Sequence, residues 1–556
     1  MPECLQTKKS NCKNCYKCIR YCPVKSLKFT DGQAHIIRNE CVLCGECYVV
    51  CPQNAKQIRD DVPEARKLIA DGGKVFASIA PSYAARYHGK NIADIRAALK
   101  KLGFYDVRET AVGAAIVKKE YERMVREKES DIIISSCCHT VNSLIARHFT
   151  NALPYLAKVL SPMQAHAKRI KEENEGAKVV FIGPCISKKQ EAEKYPGYAD
   201  TVLTFEELDK WLAEEGITIE SGNEDDFNGR TRIFPTSGGI LASMDKQEDV
   251  TYLVVDGMEN CINALTDIEN GEIKNCFIEM SACSGSCISG PVLKRTHQNP
   301  LENLLEIKKG AGKTDFGVEA EKDLFKDISF EGVSASVMPG EAEIKEILRK
   351  MGKTDPEKEL NCGSCGYSTC REKAIAVFKG KADLTMCLPF LKDKAESFSD
   401  AIIGNTPNGI IVLDDSLNIQ QINRAAKKIL NLPPSTNVLN EPVVRILDPV
   451  DYVMALNEEK NVFDNKKYLA EYSKYIEETI IYNKEYKILM IFIKDISEEE
   501  KIKNSKNVQS KAAVEITDKV IEKQMRVVQE IASLLGETTA ETKIALLKLK
   551  ETLNDE

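Results

Sequence analysis

Three short apolar stretches of this chain are each followed by cysteines. The stretches and their cysteines are 132–134 with Cys137 and Cys138, 179–183 with Cys185, and 277–281 with Cys283 and Cys287. Each stretch has the length and composition of a buried strand. In an open parallel α/β sheet, ligands collect beyond the carboxyl ends of the strands, so these thiols can meet in space. The sequence therefore predicts a buried metal cluster at this edge of the sheet.

Two cysteine runs of identical spacing lie within residues 1–60, and a proline follows each run. They comprise Cys12, Cys15, Cys18 and Cys22 before Pro23, and Cys41, Cys44, Cys47 and Cys51 before Pro52. Three thiolates at this spacing can surround one iron–sulfur cube, while the fourth cysteine binds the neighbouring cube. The runs resemble those of bacterial two-cluster ferredoxins, which implies a domain with two 4Fe-4S clusters that relays electrons. A zinc ribbon is the alternative, and the duplication of the run disfavours it.

A further cysteine group lies in residues 356–395 and comprises Cys362, Cys365, Cys370 and Cys387. A helix predicted from about Arg371 to Phe378 returns the chain so that the last cysteine closes the ring. The group resembles the four-cysteine 4Fe-4S domain of CO dehydrogenase/acetyl-CoA synthase subunits and modular hydrogenases. This resemblance implies one more 4Fe-4S cluster and electron flow towards the C-terminus, with zinc as the alternative metal.

Length, charge and cysteine usage restrict the class of protein. A chain of 556 residues exceeds one ordinary core and predicts several domains. Its formal net charge of -7 argues against general nucleic-acid binding, and no apolar run is long enough to span a bilayer. We therefore expect a cytoplasmic protein without an export signal or membrane contact. In that compartment, twenty cysteines against six histidines favour thiolate-bound iron over disulfides or mixed zinc sites.

Residues 61–355 alternate short apolar strands with amphipathic helices. Strands are predicted near residues 75, 132, 179, 232, 252 and 277. A helix is predicted over Ile92 to Leu102, with Gly103 as its C-cap. This alternation is typical of an α/β domain with a largely parallel sheet.

Motifs within residues 61–355 resemble the signature motifs of FeFe-hydrogenases. The cysteine motifs are Ser136-Cys137-Cys138, Pro184-Cys185-Ile186-Ser187-Lys188-Lys189 and Ala282-Cys283-x3-Cys287. The loops that resemble those around the cyanide ligands of that family are Ala80-Pro81-Ser82 and Thr236-Ser237-Gly238-Gly239. Together with the ferredoxin runs, the resemblance covers roughly residues 1–355 and implies that residues 61–355 form an H-cluster domain.

The resemblance implies a role for each matching residue. The cysteines implied to hold a 4Fe-4S cube are Cys138, Cys185, Cys283 and Cys287. The last of these would also bridge to a two-iron subcluster that bears CO, cyanide and an azadithiolate. Lys188 would donate a charge-assisted hydrogen bond to one cyanide. Cys137 would pass protons towards solvent, with Glu120 on the preceding helix as the next station. The alternatives are a solvated surface lysine at 188 and an inert buried thiol at 137.

Several positions depart from the pattern of that family. Gly183 and Ser281 replace methionines near the two-iron subcluster, which predicts a roomier and more polar pocket. Arg123 and Ala157 replace a glutamate and a serine of the usual proton route, which predicts slow proton delivery. His139 follows the paired cysteines, either as a proton carrier or as a structural histidine.

Residues 396–498 contain no cysteine and resemble a PAS domain. The segment 409–423 predicts a hairpin followed by a helix that begins near Asn423, and strands are predicted near 479–482 and 486–494. No histidine follows His297, which excludes a histidine-ligated haem in this domain. A bound flavin and an empty sheet that binds a partner both stay open.

Residues 499–556 are charged and predicted to be helical. An apolar stripe at helical spacing comprises Ile516, Val520, Val527, Ile531 and Leu534. Gly536 is predicted to end the first helix and Thr538 to cap a second. The stripe predicts a homodimer or partner docking, with packing against the PAS domain as the alternative. Because this segment has no histidine for phosphorylation, any signalling output must lie in a separate protein.

Three functions fit the sequence. The first is a sensory FeFe-hydrogenase that acts slowly on H2 and protons and reports through its PAS domain. The second is a metabolic hydrogenase that exchanges electrons with ferredoxin or another redox partner, and it requires fast proton delivery. The third is a non-catalytic iron–sulfur protein that holds the cube alone, as in hydrogenase-related cluster-assembly factors. Lys188 and Cys137 favour the first two, because a cube alone needs neither.

Overall fold

The computed structural model describes residues 4–8, 11–224, 229–295, 299–319, 323–332, 338–433, 435–535 and 539–554. The chain divides into two compact units, with the boundary between residues 391 and 392, and each unit is described by itself. Among the described residues, no helix combines the length and the apolar character needed to cross a membrane. The predicted mixture of α+β and α/β domains is confirmed.

The N-terminal residues form a small α+β module that carries the two cysteine runs. Its elements are β1 (Leu5–Thr7), α1 (Lys17–Arg20), β2 (Leu27–Thr30), β3 (Gln33–Ile36), α2 (Glu46–Val49) and β4 (Lys56–Ile58). β1 pairs with β4 and β2 pairs with β3, both antiparallel. Gly45, which starts α2, has φ 77°, and a Cβ at this position would lie 2.6 Å from the Cβ of Pro291. A glycine is therefore required where this module meets the following domain.

The larger α/β domain follows. Its strands and helices are α3 (Val62–Ala70), β5 (Val75–Ile79), α4 (Tyr83–Arg86), α5 (Ile92–Lys101), β6 (Asp106–Glu109), α6 (Ala111–Glu127), β7 (Ile132–Ile134), α7 (His139–His148), α8 (Pro162–Glu173), β8 (Lys178–Gly183), α9 (Ser187–Lys194), β9 (Thr201–Thr204), α10 (Phe205–Glu214), α11 (Gly239–Ser243), β10 (Thr251–Asp256), α12 (Met258–Glu269), β11 (Cys276–Ser281), α13 (Pro291–Arg295) and α14 (Pro300–Gly310). Short 3₁₀ helices cover Thr150–Tyr155, Arg230–Ile233 and Ser286–Ser289.

The strands of this domain form two parallel sheets rather than one. The strand orders are β6-β5-β8-β9 and β10-β11-β7. The strand predicted near residue 232 is wrong, because residues 230–233 form a 3₁₀ helix. There the buried guanidinium of Arg232 pairs with Glu109, and the Thr231 hydroxyl donates to the carbonyl of Ala111 at 2.7 Å. These side-chain contacts hold the turn in place of strand pairing.

Helix α5 shows how local sequence sets an element of this domain. Its start at Asn91 is a capping box, in which the Asp94 N–H donates to the Asn91 side chain and the Asn91 N–H donates to Asp94. Ile95 and Leu99 on one face are buried in the core. Gly103, with φ 100°, follows the helix as predicted.

The four-cysteine module follows residue 338. Its helices are α15 (Glu341–Lys350), α16 (Cys370–Phe378) and α17 (Leu388–Asn405). α15 packs against α16 through Ile344, Leu348 and Ala374. Helix α15 thus packs against the four-cysteine segment although it precedes the predicted boundary at residue 356. The Thr369 hydroxyl caps α16 by accepting the N–H of Glu372 at 3.0 Å.

The C-terminal unit contains an antiparallel sheet and long helices. Its elements are β12 (Gly409–Leu413), β13 (Ile419–Ile422), α18 (Arg424–Ile429), α19 (Val450–Glu458), β14 (Val462–Leu469), β15 (Lys474–Asn483), β16 (Ile488–Asp495), α20 (Ser497–Leu535) and α21 (Thr539–Asn554). The strand order is β13-β12-β16-β15-β14. Asn423 caps α18 as predicted, since its side-chain oxygen accepts the N–H of Ala426 at 2.7 Å and that of Ile410 at 2.9 Å. Strand β14 and helix α19 were not predicted from the sequence.

The helical tail keeps its apolar stripe exposed. Ile516, Val520, Val527 and Ile531 are exposed on α20. α20 and α21 lie alongside each other, and Lys550 pairs with Asp518 at 3.1 Å. The predicted helix end at Gly536, the cap at Thr538 and the side chain of Leu534 lie outside the described residues.

Candidate metal centre

Most of the strand-end cysteines line one half-open cavity of about 110 Å³. β7 belongs to one sheet and β8 to the other, so cysteines from both sheets reach the same space. The cavity wall includes Cys138, Cys185 and Cys287, and the exposed surface of Cys287 faces this interior. Cys283 lines a neighbouring pocket together with Cys44 of the N-terminal module.

The neighbouring thiols influence the ionisation of Cys283 and Cys287. Burial raises the pKa of Cys283 well above its usual range, and the charges of Cys185, Cys138 and Cys287 raise it further. Burial likewise raises the pKa of Cys287 to about 12, and Cys185 and Cys138 add to the shift. Four buried thiolates are therefore unfavourable without a bound cation, whereas a metal-bound thiol is deprotonated outright. This donor set fits an iron–sulfur cube.

Lys188 lines the cavity with a side chain that is only 12% exposed, so the surface alternative does not describe it. Its ammonium pairs with Glu191 and donates to the carbonyl of Cys137 at 3.1 Å. Burial disfavours its charge, but Glu191 raises the pKa of Lys188 above its ordinary value. Glu191 is itself fully buried and also pairs with Lys326. The partners of Lys188 that the structure describes use two of three ammonium donors, so the third can serve an anion in the cavity.

Tyr121 is the side chain that meets Cys137, and the sequence analysis missed it. Its hydroxyl lies 3.2 Å from the Cys137 Sγ and accepts the N–H of Ser136 at 2.9 Å. Burial raises the pKa of Tyr121 well above its usual range, and the neighbouring Cys137 adds to this shift. Burial also raises the pKa of Cys137 to about 12, although Tyr121 and Lys188 oppose the change. Both groups therefore hold their protons at neutral pH.

Glu120, which the resemblance makes the next station after Cys137, is paired with a charged residue of its own helix. It lies on the outer part of α6, where its carboxylate accepts hydrogen bonds from Arg123 at 2.6 and 3.1 Å. Arg123 also pairs with Glu127 and Glu129. A surface pocket contains Glu120, Arg123 and Ala157, so the substituted positions of the expected proton route lie close together. The side chain of Ala157 supplies no proton group to connect them.

The loop Ala80-Pro81-Ser82 lines the cavity at the end of β5. Ser82 is fully buried, and its hydroxyl has no hydrogen-bond partner among the described residues. A buried hydroxyl without a partner is costly, and a ligand with an acceptor atom would satisfy it. The unpartnered hydroxyl of Ser82 and the remaining N–H of the Lys188 ammonium are both suited to donate hydrogen bonds to anionic ligands in this cavity.

The loop Thr236-Ser237-Gly238-Gly239 lies next to the cavity. Pro235 and Ile240, which flank the loop in the chain, both line the cavity. Ser237 itself is exposed. Gly238 has φ 74°, and a Cβ at Gly239 would lie 2.1 Å from a backbone oxygen, so the turn needs glycine. Buried Glu279 accepts the N–H of Leu241 at 3.0 Å and so fixes the start of α11. Burial raises the pKa of Glu279 to about 7, while backbone N–H groups of this turn oppose the shift.

The wall of the cavity is not the open, polar surface that Gly183 and Ser281 suggest. A Cβ at Gly183 would lie 2.8 Å from the ring of Phe181. Phe181, Met163 and Met280 all line the cavity. Neighbouring apolar side chains therefore occupy the space that Gly183 leaves.

His139 behaves as a structural histidine. Burial lowers its pKa to about 3, so the ring is neutral at physiological pH. Both ring nitrogens are buried and have no hydrogen-bond partner in the described part of the chain. A neutral imidazole with this pKa is a poor proton carrier.

The ferredoxin-type cysteines follow the crossed arrangement expected from their spacing. Burial raises the pKa of Cys18 to about 11, and the charge of Cys51, from the second run, contributes. Burial raises the pKa of Cys41, and the charge of Cys22, from the first run, contributes. The last cysteine of each run therefore lies near the other run, as two shared cubes require.

The four-cysteine group combines buried and exposed ligands. Cys365 and Cys387 are buried, whereas Cys362 is exposed and lies 3.2 Å from the Ser364 hydroxyl. Across the described ranges, no three Cys, His, Asp or Glu side chains converge on a position for a single ion. A cube spreads its sulfur ligands more widely than one ion does. The choice between a cube and zinc stays a prediction at this group.

Four parts of the chain match known families. Residues 73–291 match the family described as "Iron only hydrogenase large subunit, C-terminal domain". The other matches are "4Fe-4S binding domain" at residues 34–57, "Putative Fe-S cluster" at 359–389 and "PAS domain" at 397–466. The resemblance to FeFe-hydrogenases, to ferredoxins and to PAS domains is thereby confirmed for these parts of the chain.

Similar proteins share this domain at low identity. The NADP-reducing hydrogenase subunit HndD of Solidesulfovibrio fructosivorans is 24% identical over 324 residues, which cover 45% of this chain and 55% of that protein. The mouse cytosolic iron-sulfur assembly component 3 is 23% identical over 341 residues, covering 46% and 71% respectively. A solved structure of the FeFe-hydrogenase HydA1 from Chlamydomonas reinhardtii aligns with half of this chain at 18% identity and a TM-score of 0.37. The chain thus spans about half the length of the hydrogenase subunit that it resembles.

Proposed function

We propose that residues 61–355 hold an H-cluster and catalyse reversible H2 oxidation and proton reduction at a low rate. The carrying observation is this cavity, because its lining brings together the thiol of Cys287, the charged donor of Lys188, the thiol of Cys137 and the unpartnered hydroxyl of Ser82. A cube alone would need none of the last three.

Each residue of the cavity has a part in this proposal. The cysteines that would hold the cube are Cys138, Cys185, Cys283 and Cys287. Lys188 and Ser82 would donate hydrogen bonds to the anionic ligands of the two-iron subcluster, and Ala80 and Pro81 would shape the space beside them. The turn Ser237-Gly238-Gly239 would support this wall. When bound, the two-iron subcluster supplies the site at which H2 is split or formed.

The proton side accounts for the low rate. Cys137 would hold a proton at Sγ, and Tyr121 would hold the next one 3.2 Å away. Glu120 is the outward group on the same helix, but Arg123 occupies both of its carboxylate oxygens. Both oxygens are therefore already hydrogen-bonded to a cation on the same helix.

Electrons would enter and leave through the iron–sulfur modules. Their proposed cofactors are two 4Fe-4S clusters at the N-terminal runs and one at the four-cysteine group. Ferredoxin or another redox protein is the proposed external partner. The match to a 4Fe-4S binding domain over residues 34–57 supports this role.

We assign the C-terminal unit to signalling. A PAS domain followed by a long helix with exposed Ile516 and Val520 supports a hydrogen or redox sensor that acts on a separate output protein in the cytoplasm. The same helix supports a homodimer. A metabolic, ferredoxin-linked hydrogenase is the alternative, and it requires the fast proton exchange that Arg123 and Ala157 oppose.

Infrared spectroscopy of the matured protein tests the proposal. We expect CO and cyanide bands that shift when argon is replaced by H2, together with slow hydrogen uptake on the same sample. Fast uptake would support the metabolic enzyme instead. Absence of the bands after verified maturation would overturn the two-iron assignment and favour a non-catalytic protein with the cube alone, a function for which the similarity to the assembly component offers support.

A matched pair of lysine variants assigns the bands to this cavity. Lys188→Gln should shift a cyanide band, because a neutral amide replaces the charged donor. Lys194→Gln is the control, since Lys194 lies on the same helix and pairs with Glu331 rather than lining the cavity. Equal spectra for the two variants would place Lys188 outside the ligand shell.

A further inference from the structure

The four-cysteine module lies directly against the N-terminal module, and a loop glycine makes the contact. Gly366 follows Cys365 and has φ 91°. A Cβ at this position would lie 3.1 Å from the Cβ of Ile19 and 3.1 Å from the carbonyl oxygen of Tyr16. Ile19 is itself placed between Cys18 and Cys22 in the chain. The backbone of one ligand loop therefore touches the helix that carries ligands of the other.

Polar contacts hold the two loops in this position. Arg20 donates from Nη2 to the carbonyl of Gly363 at 2.9 Å. The N–H of Phe29 in β2 donates to the carbonyl of Lys381 at 2.8 Å. The ammonium of Lys381 in turn pairs with Glu40. Both partners of that ion pair are mostly buried, which distinguishes it from an exposed, easily screened pair.

An apolar layer fills the space between these contacts. The buried residues that it joins are Ile19, Cys22, Leu27, Cys365, Tyr367, Ala376, Ala382 and Met386. Ile19 is fully buried although α1 spans a single turn. Burial of this kind supplies the main driving force for lasting association, so the interface is a fixed part of the fold.

The N-terminal module also faces the strand-end cysteines. One pocket of about 490 Å³ is lined by Cys22 and Cys44, by Cys283 of the α/β domain and by Ser368 of the four-cysteine module. By their crossed spacing, Cys22 and Cys44 are ligands of the same cube. The residues that would hold this cube therefore contact both of the other modules.

We propose that the Ile19–Gly366 interface positions the four-cysteine group for electron exchange with the N-terminal module, so that it communicates with the strand-end centre through Cys22 and Cys44. This inference rests on the iron–sulfur cofactors of the proposed function. Each exchange moves one electron, which oxidises the donor cube and reduces the acceptor, and no bond forms or breaks. Oxidation of one H2 releases two electrons for two such acceptors and two protons for solvent.

Electron paramagnetic resonance of the reduced holoprotein tests the interface. Neighbouring reduced cubes broaden one another's signals and speed their relaxation. In the full chain reduced with dithionite, the two N-terminal cubes broaden each other's signals. We expect a further coupling of these signals to the third cube, and this further coupling is the one that the variants below test. Cys370→Ser should remove one cluster, seen as lost iron and sulfide, and should also remove the coupling. Loss of the cluster without any change in the N-terminal signals would overturn the inference.

A glycine pair provides a matched structural test. Gly366→Ala forces a Cβ against Ile19 and Tyr16. Gly363 also has a positive φ, of 67°, but the described atom nearest to a Cβ there is 3.8 Å away. We expect weaker coupling in Gly366→Ala and unchanged coupling in Gly363→Ala, at equal iron content. If Gly366→Ala does not accumulate, the double variant Arg20→Gln and Lys381→Gln removes the polar contacts without altering the glycine. Coupling that survives both interventions would refute the role of this interface.

Iron content separates this inference from the proposed function. If Cys370→Ser loses no iron, the four-cysteine group holds no cluster, and the cofactor assignment fails together with the inference. If iron is lost and the coupling disappears while infrared bands of the strand-end centre are absent, the interface stands and the H-cluster assignment fails.

Discussion

Around the strand-end cavity, the residues proposed to carry electrons (the electron side) and those proposed to carry protons (the proton side) are built differently. On the electron side, the ligand cysteines of each module are retained, and fixed contacts such as Gly45 against Pro291 and Gly366 against Ile19 hold the modules together. On the proton side, Cys137 meets a buried phenol, and the outward carboxylate of Glu120 is tied to Arg123. Under the proposed function, this difference favours defined electron transfer over rapid turnover.

The largest expected effect is on stability and comes from the buried cluster of Lys188, Glu191 and Lys326 beside the cavity. Glu191→Gln leaves the buried ammonium groups of Lys188 and Lys326 without their carboxylate, which should lower the free energy of unfolding by about 3–5 kcal/mol. Urea unfolding followed by fluorescence of Trp211, the single tryptophan of the chain, reports on this unit.

Glu193→Gln is the matched control for that change. Glu193 lies on the same helix and pairs with Arg59 at a partly exposed position, so its loss should cost about 1 kcal/mol or less. Similar unfolding midpoints for the two variants would show that the Lys188–Glu191–Lys326 cluster does not hold the cavity wall together.

The next effect depends on pH and concerns the cavity wall. Burial raises the pKa of Glu279 to about 7, so its protonated form is favoured in the folded protein. Its stabilising contribution is present below the ordinary pKa and is lost as pH rises through about 7. Relative to Glu279→Gln, the wild type should therefore lose stability between about pH 4.5 and 7, by roughly 3 kcal/mol in all. A constant difference between the two proteins over this range would contradict the assignment.

Local patterns were sufficient to predict the iron–sulfur domains and several elements. Cysteine spacing is set by the size of a cube, so the two N-terminal runs could be assigned without the fold. The capping box at Asn91 and Asp94 and the cap at Asn423 are likewise encoded within a few residues.

Features that depend on distant parts of the chain could not be predicted in this way. Lys326 reaches Glu191 across 135 positions of the sequence, and no local signal marks it. Tyr121 differs from Glu120 only in which face of α6 it occupies, and the packing of the domain decides that Tyr121 faces Cys137. The division into two sheets and the contact of Gly366 with Ile19 also arise from tertiary packing.

A smaller effect on stability is expected at Tyr121, which lies beside Cys137 at the buried end of the proposed proton route. Tyr121→Phe removes the acceptor of the Ser136 N–H, and an unpaired buried N–H should cost about 1–3 kcal/mol of stability. Hydrogen uptake should fall as well, because the phenol beside Cys137 is lost. Tyr252→Phe is the control, since its hydroxyl accepts the N–H of Gln247 at an exposed position. Uptake that is unchanged in Tyr121→Phe would exclude the phenol from the proton route.

The smallest change in stability should occur at the outer end of the same route, where a gain in rate is expected. Arg123→Gln removes a partly exposed cation, so the free energy of unfolding should change by about 1 kcal/mol or less. Glu120 would then be free to exchange protons with solvent, and hydrogen uptake should rise. Lys128→Gln is the control, because Lys128 pairs with Asp249 at the exposed end of α6. If both variants keep the wild-type rate, the break in the route lies further inward, where Ala157 supplies no hydroxyl, and Ala157→Ser combined with Arg123→Gln should then raise uptake.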